Sequence, residues 1–194
     1  MIKYNLKTKR EFSFFVFKLQ IFLFIDNVLI KSYNFLKEVF MKIVYKWLTK
    51  DDYKNVVKTF GEVVEKYDVL KFGKNYYAYG AFCNDELIGF VSGGFRSLIP
   101  PLTDKEAYIF DIEVKKEYRR NGIGSKFVKL AEKWAKDNNA FQIGAWSAEE
   151  SKEMILLAKK LKYSMCPAIM YDKHYLPKSV DDYFVGYYYA KRLD

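Results

Sequence analysis

The sequence predicts one mixed α/β domain, a central sheet of about six to seven strands flanked by helices. Three observations carry this expectation. Segments of strand period and helix period alternate from residue 42 to the end. Apolar residues make up 51% and charged residues 29% of 194 residues, which is globular composition at the length of one domain. No internal repeat or low-complexity linker interrupts the alternation.

In order, residues 42–48 (KIVYKWL) alternate as a strand, and Thr49-Lys50-Asp51-Asp52 has the form of a capping box with Asp52 at the usual Glu position. Tyr53, Val56, Val57, Phe60, Val63, Val64 and Tyr67 then fall on one helical face. A short second helix is expected near 68–73, before the next strand. Residues 76–83 (YYAYGAFC), the turn Asn84-Asp85-Glu86 and residues 87–95 (LIGFVSGGF) read as a hairpin. After the break at Ile99-Pro100-Pro101, residues 107–114 (AYIFDIEV) are a strand. Residues 123–138 are a helix with Ile123, Phe127, Leu130, Ala131 and Trp134 inward and Lys126, Lys129, Lys133 and Lys136 as a solvated stripe. Residues 141–146 are a strand, and 149–161 a helix with Met154, Ile155, Ala158 and Leu161 on one side. Residues 164–171 and 183–193 are two closing strands around the polar loop DKHYLPKSVDD.

Composition excludes several functions. Cys83 and Cys166 are the only cysteines and form no C-x-x-C, which argues against a disulfide framework or zinc cluster and for a cytoplasmic, reducing setting. His174 is the sole histidine, so a multi-histidine metal centre cannot be built, and no metal is expected. The net charge is +9, but no nucleic-acid recognition motif accompanies it, and no nucleic-acid partner is expected.

The first forty residues stand apart. They hold 7 basic and 3 acidic residues, leaving 26 and 21 beyond. Residues 12–30 (FSFFVFKLQIFLFIDNVLI) have the length of a membrane span, yet Lys18, Gln20, Asp26 and Asn27 interrupt it, and a charge near a bilayer centre costs about 2.5–3.5 kcal/mol. The readings are a genuine anchor, an extra amphipathic helix, or a translated leader. The leader is favoured, because Met41 opens directly into the first strand and Lys37-Glu38-Val39 can be encoded by a ribosome-binding sequence. The chain thus divides into an extension, 1–40, and a domain, 41–194.

One segment carries chemistry. The strand 107–114 runs through Lys115-Lys116-Glu117-Tyr118-Arg119-Arg120-Asn121-Gly122-Ile123-Gly124-Ser125 into a helix. Glycines at that turn allow a ligand to approach the backbone, and a helix N-terminus offers free N–H groups and a positive dipole end. Arg119 and Arg120 add fixed charge. The segment reads as a phosphate site, most simply for a pyrophosphate; the alternative is a capped helix entered by a tight turn. The pattern G-x-G-x-x-G fails because Phe127 occupies the third position, and the G-x-x-x-x-G-K-[ST] loop is absent.

What remains is R-x-x-G-x-G after a strand ending in Val. In YIFDIEVKKEYRRNGIGSKFVKLAEKWA this resembles the acetyl-CoA-binding motif A of the GNAT acetyltransferase superfamily, and the element order resembles that family over 41–194. The resemblance implies a GNAT-like domain whose strand 107–114 splays from strand 141–146 to admit the pantetheine arm. Backbone groups of Ile112, Glu113 and Val114 would pair with that arm. Amides of Arg120, Asn121, Gly122, Ile123, Gly124 and Ser125 would wrap the pyrophosphate, with Arg119 at the motif's Arg/Gln position. Acetyl-CoA is the implied co-substrate. The implied reaction is direct attack of an amine on the thioester.

The resemblance also shows departures. The Glu that many members carry in the central strand falls here at Phe110 or Tyr108. Asp111 matches the Asp of a Y-I-x-D-[IL]-x-V pattern and is the first candidate base, with Glu113 the second; the alternative is that both only cap or solvate the strand. The Tyr that usually protonates the leaving thiolate falls at Ala158, and the Asn that contacts the cofactor arm falls at Ser151. Tyr187, Tyr188 and Tyr189 are close in sequence but fit strand packing. Glu149, Glu150, His174, Asp181 and Asp182 would line the acceptor side and favour a cationic small-molecule amine, or act only as solvated loop charges. A protein or peptide amine, and a non-catalytic acyl-CoA sensor, are the alternatives. A homodimer is left open, and no membrane association is expected unless residues 12–30 are an anchor.

Overall fold

The computed structural model describes residues 42–97, 105–170 and 184–193. The extension 1–40 and the loop with His174, Asp181 and Asp182 lie outside the described residues. Strand β1 is Ile43–Trp47, followed by a 3-10 turn Lys50–Asp52 and helices α1 (Tyr53–Phe60) and α2 (Glu62–Lys66). Then come β2 (Tyr76–Cys83), β3 (Glu86–Ser97), β4 (Lys105–Val114) and a 3-10 turn Lys116–Tyr118. Helix α3 (Ile123–Asp137), β5 (Gln142–Ala148), α4 (Lys152–Lys160), β6 (Ser164–Met170) and β7 (Phe184–Arg192) complete the domain. The seven strands form one sheet in the order β1-β2-β3-β4-β5-β7-β6. Every neighbouring pair is antiparallel except β4 with β5.

The two faces of the sheet are packed differently. Under α3, Phe127 meets Tyr45 edge-on with centroids 5.6 Å apart, and Trp134 packs on Tyr77 and Phe95. On the opposite face, Val56 of α1 and Val64 of α2 close a core with Leu48, Leu70, Ala78, Leu87 and Phe90, against which Phe110 of β4 also packs. The helix starts as the capping motif predicts, with the Thr49 N–H donating to Asp52 Oδ2 at 2.8 Å.

Three expectations change. The helix expected across 53–67 is divided by Gly61, whose left-handed φ of 68° ends α1, and Tyr67 is exposed beyond α2 rather than inward. No helix forms near 68–73. Instead the chain passes without regular structure, burying Val69 and Leu70, and the Val69 carbonyl accepts a 2.7 Å hydrogen bond from the buried Ser92 hydroxyl. The returning hairpin strand is longer than 87–95, because its pairing with β4 continues to Ser97↔Lys105. Among the described residues, no helix is long and apolar enough to cross a membrane.

Candidate active site

β4 and β5 pair at only three positions, Glu106↔Gln142, Ala107↔Ile143 and Tyr108↔Gly144. Beyond Tyr108 each continues alone on that side, β4 to Val114 and β5 to Ala148, while β5 stays paired to β7 along its length. The two central strands therefore part, and the backbone edge of β4 from Ile109 onward is open toward β5. A β-bulge accompanies the parting: Ser92 opposes Asp111 and Gly93 opposes Ile109, leaving Phe110 as the extra residue.

The chain leaving β4 is held in place at its outer end. Lys115 forms an ion pair with Glu86, and the Tyr118 hydroxyl lies 3.5 Å from the same carboxylate. Arg119 Nε donates to the Val114 carbonyl at 2.9 Å, and Asn121 Nδ2 to the Tyr118 carbonyl at 2.9 Å. Arg120 (φ 66°) and Gly122 (φ 77°) are both left-handed, so the backbone curls around the start of α3. Such alternation turns successive N–H groups toward one point and makes an anion-binding concavity. Among the described residues, no amide from 120 to 125 donates to a backbone carbonyl. A Cβ added at Gly122 would meet nothing within 4 Å, and one at Gly124 only the Leu157 side chain at 3.5 Å. The space over both glycines is empty of protein, which fits a phosphate group close to the backbone.

Asp111 and Glu113 share a face of β4, opposite Ile112. Paired residues of antiparallel strands point to the same side, and Asp111 is opposite Ser92 and Glu113 opposite Phe90, both turned toward the α1–α2 side. Burial pushes the Asp111 carboxyl up to about 7, aided by the Glu113 charge and opposed by the Ile112 amide. Its Oδ2 is buried and without a partner. Burial also raises Glu113, against the pull of Arg119, whose guanidinium lies 4.0 Å away. A buried carboxyl poised near neutrality on a strand that parts from its neighbour is suited to accept a proton.

Other candidates take other places. Ser151 caps α4 through its carbonyl, which accepts from the Met154 and Ile155 amides. Ala158 is 7% exposed and lines a crevice with Ile109, Ala145, Leu157, Tyr163 and Tyr189, and the Tyr163 hydroxyl donates to Glu132 at 3.1 Å. The Tyr189 hydroxyl pairs with Ser147 Oγ at 2.7 Å, and the Tyr188 hydroxyl donates to Glu106.

Sequence reading missed Glu106. It is 0% exposed and gathers Arg96, Tyr188 and Gln142, the last at 2.8 Å, where β4 and β5 still pair. Arg96 also stacks on the Tyr108 ring at 3.9 Å. A charged residue at the start of a strand carries no pattern signal, since only the meeting of four strands buries it.

Residues 41–163 match the acetyltransferase (GNAT) family, and the chain belongs to that family as an N-acetyltransferase. A search of curated protein sequences finds no match. Among solved structures, NAA60 of Arabidopsis thaliana in complex with acetyl-CoA is 15% identical, covering 78% of this chain and 99% of that one, at a TM-score of 0.59. The ribosomal-protein-S18-alanine N-acetyltransferase from Escherichia coli is 15% identical over 78% of this chain and 94% of its own, at 0.56. A GNAT-family acetyltransferase from Streptococcus pneumoniae is 14% identical over 78% and 99%, at 0.60. At these identities the likeness is one of fold.

Proposed function

We propose that the protein is a cytoplasmic acetyl-CoA-dependent enzyme that transfers the acetyl group to a primary amine of a small molecule. The observation that carries this reading is the run of unpaired amides at residues 120–125, standing directly beyond the point where β4 and β5 part. The amides of Arg120, Asn121, Gly122, Ile123, Gly124 and Ser125, with Arg119, would hold the pyrophosphate. The open β4 edge at Ile112, Glu113 and Val114 would pair with the pantetheine amides. Acetyl-CoA supplies an acetyl carbon activated as a thioester. Asp111 would take the proton lost by the amine as its nitrogen bonds the acetyl carbon and the C–S bond breaks. With Ala158 at the point where a tyrosine would protonate sulfur, the thiolate leaves unassisted, which its weak basicity permits. Ser151 would stand beside the arm through its place at the start of α4.

The Escherichia coli neighbour is named for a ribosomal protein's alanine, which makes a protein or peptide amine the second reading. Calorimetry with CoA, followed by thiol release from acetyl-CoA across an amine panel and a peptide panel, tests both. CoA should bind at least tenfold more tightly than pantetheine, which lacks the pyrophosphate, and an amine should release thiol. Equal affinity for the two would remove the phosphate site.

A further inference from the structure

Among the described residues, two buried side-chain polar atoms have no hydrogen-bond partner, Asp111 Oδ2 and Trp146 Nε1. Buried polar groups in native proteins are nearly always paired, so each orphan needs a reason. Their places in the fold supply a common one. The last β4–β5 pair is Tyr108↔Gly144. Asp111 stands three residues beyond it on β4, one of them taken up by the bulge, and Trp146 two residues beyond it on β5. At about 3.3 Å per residue the two sit at similar height on the two arms of the split.

They also share a face. Trp146 alternates with Gln142, which donates to Glu106, and pairs with Tyr188, which donates to the same carboxylate. Its ring lies over Gly186, where an added Cβ would come within 2.5 Å of the indole. The missing side chain at Gly186 is what leaves room for the indole beside β7. Glu106 and Tyr108 alternate on this face of β4, the Phe110 ring lies tilted beside Tyr108 with centroids 6.2 Å apart, and Asp111 comes next on the same side through the bulge. An ionised carboxylate only accepts hydrogen bonds and an indole N–H only donates. A ligand satisfying both must present an N–H to Asp111 and an oxygen lone pair to Trp146.

We propose that Trp146 is an acceptor-binding residue, and that the enzyme selects amines bearing a neighbouring carbonyl or hydroxyl oxygen. The chemical class is an α-amino amide or a vicinal amino alcohol. This rests on the acetyl-transfer reading and narrows its acceptor. A plain alkylamine would leave the indole N–H unpaired in a buried place. A site built to hydrogen-bond a substrate group discriminates strongly against the analogue lacking it.

The test is ¹H–¹⁵N spectroscopy of the full chain saturated with CoA. Its three tryptophans give three indole cross-peaks, and Trp146→Phe assigns one by its loss. Glycinamide, 2-aminoethanol and propylamine are titrated. The Trp146 indole proton should move downfield with the first two, and both should bind at least tenfold more tightly than propylamine. Trp146→Phe should close that gap. Equal affinities in the wild type, a gap surviving in Trp146→Phe, or no shift with any amine would overturn the proposal. So would a downfield move caused in full by CoA alone, which assigns the N–H to the cofactor. The wild-type gap stands as evidence even where Trp146→Phe folds poorly. Amide shifts at residues 120–125 on adding CoA report the acetyl-transfer reading separately, so the two can fail independently.

Discussion

Asp111 is the proposed base, and its environment makes opposite demands on stability and on that role. Its carboxyl is pushed up to about 7 in the fold, against an ordinary value of 3.8, chiefly by burial. The folded state therefore binds more protons than the unfolded chain between those two values. Stability should fall as pH rises from about 4 to about 7 and stay low above, by up to about 4 kcal/mol at about 1.4 kcal/mol per pH unit. Asp111→Asn should flatten that decline and raise the melting temperature at pH 8. The same substitution should leave CoA affinity unchanged and cut turnover about 10²–10⁴-fold, the usual worth of a general base. The wild-type rate should climb through about pH 7 as Asp111 ionises. Glu113→Gln should do less, since Glu113 is half-buried and lies beside Arg119. A fully active Asp111→Asn enzyme would hand the proton to another group.

The element that matters most is the turn from β4 into α3, where the two glycines do different work. Gly122 is left-handed, so Gly122→Ala should cost about 1–2 kcal/mol of stability whatever the space around it. Gly124 is not left-handed and its Cβ would meet only Leu157 at 3.5 Å, so Gly124→Val should cost little stability, valine being a better helix former than glycine. It should nonetheless weaken CoA binding strongly by filling the phosphate's approach. Thermal melts and calorimetry on the pair separate conformation from access. The vertex below is the second critical element. Glu106→Ala strips Arg96, Tyr188 and Gln142 of their shared partner. A loss of about 2–4 kcal/mol is expected, since the partner removed is buried while Arg96 can reach water. The melting temperature should drop by roughly 5–15 °C at this chain length.

For the whole molecule, the question is whether the domain stands without the extension. Strand β1 pairs with β2 over its full length, from Ile43↔Cys83 to Trp47↔Tyr79, and α1 and α2 close the core beside it. A chain beginning at Met41 should therefore fold and bind CoA as tightly as the full chain. Aggregation or loss of cooperative melting in the shortened protein would show that residues 1–40 contribute to the domain.

The order of strands and helices was legible because apolar spacing is a local property. Phe127 and Trp134 recur at helical period, and AYIFDIEV reads as strand from its own residues. The motif Arg119-x-x-Gly122-x-Gly124 was legible for the same reason, since a turn that needs a left-handed residue writes a glycine. Position 120 also lies left-handed, yet as an arginine it left no mark. Gly61 was visible as a letter, but its division of the first helix depends on a φ of 68° that spacing does not carry. What only tertiary structure decided is whatever arises between strands distant in sequence. Where β4 and β5 stop pairing, which carboxylate loses its water, and which indole is left without an acceptor depend on the meeting of residues 92, 111, 146 and 186. The sequence by itself therefore determined the elements and the glycine-bearing turn into α3. Burial and cross-strand contact, which are sums over the whole fold, determined Asp111's proton affinity, the Glu106 vertex and the role open to Trp146.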